Sequence, residues 1–315
     1  MRAVVHVGFH KTGTTALQYH LFPQLPGVVL LTRTPHHGPD GYAEFARGLC
    51  KLESARYDAA GLRALVEEVA PEAPGTLLLS DEGLSGIPNL GTWLRAESTG
   101  RVAALLPEAR VLIAIRNQAT MWRSLYGDYV MRGGFRSFAA FAADVDPGYA
   151  FELEYLRYDR FIDAYQRAFG PERVKVVTFE HLETDPVGFA GEVSAFVLEG
   201  TSLTMPERSP LEVANRSLSR WSRDVLRLRN RLFRAQPRLN PRPLLVDFPM
   251  RKLDRVLRRA DPVIFPRART LSRRDARALT ALLPYYETGN ARVAEQTGLD
   301  LRRYGYPLPW GAGSD

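Results

Sequence analysis

AVVHVGFHKTGTTALQ, running from Ala3 to Gln18, holds three kinds of local structure in sixteen residues. Val4, Val5 and Val7 are β-branched and turn chemistry follows them at once, so Ala3 to Val7 reads as a buried parallel strand. Gly8 closes that strand and His10-Lys11-Thr12-Gly13-Thr14-Thr15 forms a loop. Ala16, Leu17, Tyr19, His20 and Leu21 then fall at helical spacing. Strand, glycine-containing loop and helix in this order place the loop at a helix N-terminus. There the first amides have no intrahelical partner and the dipole is positive, which suits an anion. Gly13 lets the backbone come close to the anion, Lys11 adds a mobile cation, and Thr12, Thr14 and Thr15 add hydroxyl donors. The loop is built to hold an oxyanion, yet it is not a Walker A loop, because Lys11 precedes Gly13 by two residues instead of following a second glycine.

Two later strand ends supply matching chemistry. Thr76 to Ser80 is a second buried strand, followed by Asp81, Glu82, Gly83, Leu84 and Ser85. Ligands of open parallel sheets collect beyond the carboxyl ends of the strands, so these two acids are candidates for a general base. Arg110 to Arg116 is the clearest buried strand, and eight residues beyond Arg116 stands Ser124 in a helical stretch. An arginine at a strand end with a helical serine beside it can hold a phosphate by a fork and a hydroxyl.

The loop from His6 to Gln18 closely resembles the 5′-phosphosulfate loop, H-x-G-x-x-K-T-G-T-T-x-L-Q, of bacterial sulfotransferases that use 3′-phosphoadenosine 5′-phosphosulfate (PAPS). The R-N-x-x-x-x-x-x-S-x-Y spacing from Arg116 resembles their 3′-phosphate motif, with Gln118 where a proline is common, which implies a looser turn. The segment Ser80-Asp81-Glu82 resembles the strand end that carries their base; this favours Glu82 and leaves Asp81 as a cap or supporting partner, with Asp81 and His10 the next candidates. Asn215 and Ser217 resemble the N-x-S segment that closes over the nucleotide. The resemblance implies that Lys11, Thr12, Gly13, Thr14, Thr15, Arg116, Ser124, Asn215 and Ser217 hold PAPS, and that Lys11 and Glu82 carry the transfer to an acceptor hydroxyl without a metal. Glu180 and His181, after the strand Val174 to Phe179, are weaker candidates for polar contacts. Two other readings stay open: an ATP-dependent small-molecule kinase of the same fold, and a non-catalytic anion-binding scaffold.

The expected fold is a three-layer α/β/α domain with a central, mainly parallel sheet of five strands, of the kind shared with P-loop kinases, plus a helical C-terminal extension. Residues 1–200 form the PAPS-binding core in this reading, and residues 201–315 a basic, mostly helical extension packed on it. The chain has 315 residues, 45% of them hydrophobic and 24% charged, enough for one large core. No run of apolar residues is long enough to cross a bilayer, and the N-terminus enters a strand directly, so a cytoplasmic protein is expected. Cys50 is the single cysteine, which excludes an intrachain disulfide. His36 and His37 sit in a breaker-rich loop without acids or cysteines at ligand spacing, and are read as solvent-exposed or substrate-facing.

The net charge of +7 is uneven. Between Arg216 and Arg274 seventeen arginines and Lys252 face four aspartates, a local +14 that leaves the rest of the chain at −7. Such a field favours anionic acceptors or surfaces; a small-molecule or glycan acceptor is expected, and no nucleic acid. Within this region Leu218, Trp221, Val225, Leu228 and Leu232 repeat at helical spacing with arginines elsewhere on the cylinder. Packing of that apolar stripe on the main domain is the expectation; a partner subunit, an anionic substrate and a membrane surface are the alternatives. Gly133-Gly134 reads as a hinge, and Tyr149, Phe151, Tyr155 and Tyr158 as either an acceptor cleft or core.

Overall fold

Short apolar runs form five strands: β1 (Arg2–Gly8), β2 (Val28–Thr32), β3 (Thr76–Ser80), β4 (Arg110–Ile115) and β5 (Val174–Thr178). They make one parallel sheet in the order β2-β3-β1-β4-β5. The computed structural model describes residues 2–32, 42–51, 56–69, 75–86, 88, 94–143, 152–200, 219–233 and 271–310, without the side chains of 42–45. Its helices are α1 (Thr14–Ala16, continued by a π turn over Leu17–Leu21), α2 (Tyr42–Cys50), α3 (Ala59–Glu68), α4 (Arg95–Leu105), α5 (Gln118–Met131), α6 (Phe138–Ala143) and α7 (Tyr158–Phe169). After β5 come α8 (Phe179–Thr184), α9 (Pro186–Val197), α10 (Arg220–Leu232), α11 (Arg273–Leu282) and α12 (Pro284–Thr297).

Alternation along the strands splits the interior into two cores, because successive side chains point to opposite faces. Val5, Val7, Leu77, Leu79, Val111, Ile113 and Ile115 face one side, against Trp122 of α5 and Phe161, Ile162 and Tyr165 of α7. Val4, Leu78, Leu112, Ala114 and Val177 face the other, against Leu17, Leu21, Phe189 and Val193. The result is the expected α/β/α arrangement. β1 lies at the centre, with β2 and β3 on one side of it and β4 and β5 on the other, so the strand order reverses there. The crevice at such a point, beyond the carboxyl ends, is where open α/β sheets bind ligands. The register pairs His6 with Ser80 and Gly8 with Ala114, which brings Glu82, Lys11 and Arg116 to one edge of the sheet.

The C-terminal helices close the same body. Trp122 Nε1 donates to the Tyr286 hydroxyl at 3.2 Å, Ala139 N to Asp275 Oδ1 at 3.1 Å, and Asn117 Nδ2 to the Tyr304 carbonyl at 3.0 Å. The turn at Gln118 is not loose. Asn117 caps α5 by accepting from Ala119 N, and the buried amides of Gln118 and Asn290 exchange two hydrogen bonds of 2.8 and 3.0 Å. Gly134 is fixed as glycine by packing: a Cβ there would stand 2.3 Å from the Tyr129 ring.

α10 reverses the expected orientation. Ser222, Arg223, Leu226, Arg229 and Asn230 are buried, while Trp221, Val225 and Leu228 are exposed. The reason lies at the turn that follows α5, whose backbone carbonyls need donors. Asn230 Nδ2 donates to the Val130 and Gly134 carbonyls at 2.8 Å each, and Arg227 Nε to the Phe135 carbonyl at 3.2 Å. The polar face turns inward to satisfy that turn; Leu226, outside the expected stripe, is buried with it, and Leu232 of the stripe is half-buried. Leu218 lies outside the described residues.

Candidate active site

Phe9 anchors the loop after β1. Fully buried, it meets Tyr155, Tyr158 and Phe161 edge to face at 5.4, 4.8 and 5.0 Å between ring centroids. Above it Lys11 takes a left-handed φ of 70° and Gly13 one of 84°. Positive φ is uncommon for a non-glycine residue, and such backbone persists where surrounding structure fixes it, often at functional sites. Gly8 is required by close approach, since a Cβ there would sit 2.1 Å from Thr14 Oγ1. Thr12 is spent internally: its hydroxyl donates to the Phe9 carbonyl at 2.6 Å and braces the loop. The Thr14 hydroxyl is buried without a hydrogen-bond partner, and Thr15 is exposed. Gln18 pins the helix to β3 through the Ser80 carbonyl at 3.0 Å and hydroxyl at 2.9 Å.

Arg116 joins this loop to the end of β4. Its Nη1 donates to the Lys11 carbonyl at 2.9 Å, its Nε to Thr120 Oγ1 at 2.9 Å, and its guanidinium lies 4.2 Å from the Phe179 ring centroid. Burial lowers its pKa, against the raising effect of Glu183 and Glu180, and it stays a cation. Thr120, Ser124 and Asp128 recur every four residues along α5 and so share one face. The hydroxyl Arg116 meets is that of Thr120; Ser124 stands one turn further along and makes no hydrogen bond to Arg116. Asp128, two turns along, accepts from Lys11 Nζ at 3.0 Å and also pairs with Arg132. Burial alone would push the Asp128 carboxyl up, but Lys11 and Arg132 together hold it below its usual range.

Glu180 supports Arg116 from below. One carboxylate oxygen accepts from Asn117 N and the other from the Tyr306 hydroxyl, each at 3.0 Å. Burial raises its pKa above the ordinary value despite those donors. His181 turns away to Glu192, 3.1 Å from its Nδ1.

At the end of β3, Asp81 caps the short 3-10 turn Glu82–Ser85 by accepting from Gly83 N at 2.7 Å, which gives it a structural task. Glu82 projects outward with its side chain 44% exposed, and its Oε1 lies 3.6 Å from His10 Nε2. The other ring nitrogen, Nδ1, is 3.0 Å from the Tyr155 hydroxyl, which also accepts from His10 N and meets Ser85 Oγ at 3.2 Å. Arg95 fixes this cluster from beneath. It donates to the Ser85 carbonyl at 2.6 Å and the Tyr155 carbonyl at 2.8 Å, and stacks 4.7 Å from the Tyr155 ring centroid. Burial lowers the His10 pKa more than Glu82 raises it, so its ring is neutral at neutral pH. Burial pushes the Tyr155 hydroxyl up to about 12, so it stays a phenol there.

The structure thus gathers Lys11, Gly13, Thr14, Arg116 and Glu82 around the carboxyl ends of β1, β3 and β4. Asn215, Ser217, His36, His37, Tyr149 and Phe151 lie outside the described residues. Sequence reasoning missed three participants. Asp128 and Thr120 were accessible from the four-residue spacing around Ser124. Tyr155 was placed only in an aromatic group, because nothing local says that its hydroxyl reaches His10 across 145 residues.

A family model described as Sulfotransferase family matches residues 3–199. The comparison with curated proteins finds no match. Among solved structures, a sulfotransferase from Alicyclobacillus acidocaldarius overlaps with a TM-score of 0.49 at 17% identity, over 76% of this chain and 95% of that one. A sulfotransferase domain from the curacin biosynthetic pathway gives 0.40 at 13%, over 98% and 99%. One from the Synechococcus PCC 7002 olefin synthase gives 0.34 at 14%, over 89% and 93%. These overlaps are loose, whereas the family match spans more than half of the sequence and includes the loop after β1 and the ends of β3 and β4: the chain belongs to the sulfotransferase family.

Proposed function

We propose that the protein moves a sulfuryl group from PAPS to an acceptor hydroxyl by in-line displacement. The observation that carries this reading is the 2.9 Å bond from Arg116 to the Lys11 carbonyl, which makes the two cation-bearing strand ends one site. A donor with a phosphosulfate at one end and a second phosphate on its ribose needs two cationic anchors, and Lys11 and Arg116 supply them. The unpartnered Thr14 hydroxyl and the amides that open α1 fit an oxyanion in the loop. Ser124 sits on the Arg116 side, suited to the ribose phosphate, while the Thr120 hydroxyl donates to the Asn117 carbonyl at 3.0 Å and braces Arg116.

In this reading the acceptor oxygen attacks sulfur while the bond from sulfur to the bridging phosphate oxygen breaks. Glu82 takes the hydroxyl proton and Lys11 stabilises the charge left on the phosphate. Lys11 must exchange Asp128 for that phosphate, so donor binding opens an existing ion pair. His10, neutral and held at Nδ1 by Tyr155, presents Nε2 toward Glu82 at 3.6 Å.

Isothermal titration with adenosine 3′,5′-bisphosphate and with AMP, alongside single-turnover transfer, tests the assignment. Arg116→Ala should bring the bisphosphate down to the affinity of AMP, a loss of about 1.5–3 kcal/mol for a charge-assisted contact. Glu82→Gln should keep bisphosphate affinity and slow transfer by about 10²–10⁴-fold. An Arg116→Ala variant that binds both nucleotides as the wild type does would sink the 3′-phosphate site, and stabilisation by ATP with Mg²⁺ alone would favour a kinase.

A further inference from the structure

α10 presents an apolar ridge to solvent. Trp221, Val225 and Leu228 are 62%, 47% and 62% exposed, and their spacing of four and three residues aligns them on one side of the helix. Arg220 and Arg231 are exposed beside the ridge. On the neighbouring helix Arg273, Arg274 and Arg277 are exposed too, and Arg274 lines one cleft with Arg220, Arg223 and Arg227. The acids nearby are committed: Asp224 pairs with Arg220 and Arg227, and the Asp275 carboxylate accepts from Ser272 Oγ, the α11 cap, and from Ala139 N. No helix among the described residues is long and apolar enough to cross a membrane.

We propose that this face docks the protein on an anionic lipid surface, with Trp221, Val225 and Leu228 entering the headgroup boundary and the flanking arginines meeting lipid phosphates. Charge selects this occupant. A second copy placed face to face would set exposed arginines against exposed arginines, an arrangement that like-charge repulsion disfavours. A shallow apolar insertion joined to basic charge is the pair of signals that gives reversible interfacial binding. The fold permits it because the α10 contacts to α5 use the polar face, so the helix stays seated while its apolar side is engaged. Since α5 also carries Ser124 and Asp128, docking would hold the site beside the lipid surface. It requires no nucleotide and stands apart from the donor assignment.

Co-sedimentation of the full chain with vesicles tests it. The wild type should sediment with phosphatidylcholine vesicles containing phosphatidylglycerol and not with pure phosphatidylcholine. Binding should weaken as salt rises past about 0.15 M, where the screening length is about 8 Å. The variant Trp221→Ala/Val225→Ser/Leu228→Ser should lose about tenfold or more in partitioning while its circular dichroism is unchanged. Quenching of tryptophan fluorescence by brominated lipid, seen in the wild type and lost in Trp221→Phe, reads the same contact without removing apolar surface. The proposal is overturned if the wild type ignores anionic vesicles, or if both the triple variant and Trp221→Phe behave as the wild type. It is also overturned if gel filtration shows an oligomer that the triple variant disperses while lipid is not bound.

Discussion

The loop after β1 and the helix α10 are built from similar materials and turned opposite ways. In the loop the apolar residue goes in and the cation comes out: Phe9 is fully buried among aromatic rings, and Lys11 is exposed at the strand end. In α10 two cations go in, Arg223 and Arg229, and the tryptophan comes out. The difference lies in what each segment lands on. The loop sits over an apolar core, where burying a phenyl ring is the largest gain available. α10 lands on the turn that follows another helix, where buried carbonyls cost more if left unmet than a few exposed apolar side chains do.

The sharpest way to break this contrast is to remove the aromatic anchor. Phe9→Ala should destabilise the fold by about 3–5 kcal/mol, the usual range for a buried phenylalanine, and should weaken adenosine 3′,5′-bisphosphate binding because Lys11 rides on the same loop. Denaturant unfolding and titration calorimetry measure the two effects, and a loss of stability alone would separate the loop from nucleotide binding.

Beneath the loop, His6 is buried beside Ser80 with its pKa lowered by burial to about 3, against 6.5 for the free group. On acidification the unfolded chain takes this proton first, so stability falls as pH drops from 6.5 towards 3. Between pH 6.5 and 4.5 the loss should reach about 2.5 kcal/mol. His6→Asn should flatten that part of the pH profile relative to the wild type; profiles of equal slope would show that His6 does not carry it.

The α10 side of the comparison turns on a pair of substitutions. Asn230→Leu removes the donors to the Val130 and Gly134 carbonyls and the acceptor of Arg229, and should cost about 2–3 kcal/mol although it adds an apolar side chain. Trp221→Ala, by contrast, should change stability by less than about 0.5 kcal/mol. If Trp221→Ala proves the more damaging of the two, the ridge is packed in solution and the helix has been read the wrong way round.

Much of the sheet and part of the site were legible in the sequence, for identifiable reasons. Valine and leucine runs fixed all five strands, because a strand buried on both faces carries its whole signal locally. Lys11, Gly13 and Arg116 could be placed because strand ends and glycine turns are local too. The hydroxyl partner of Arg116 was harder: spacing nominated Ser124, but Thr120 is the one within 2.9 Å. Thr12 reads in the sequence as a ligand donor, and in the fold its hydroxyl donates to the Phe9 carbonyl, because a hydroxyl close to its own backbone can bond to it locally.

What the sequence by itself determined is the order of elements, the glycine-containing loop between strand and helix, and the acids and cations at the carboxyl ends of the strands. These follow from side-chain periodicity and backbone chemistry over a few residues. Only the tertiary structure decided that Asp128 holds Lys11, that Tyr155 reaches His10, and which face of α10 is buried. Each of those depends on a partner far away in the chain, and a hydrogen bond or ion pair acts over a few ångströms that only folding brings within reach.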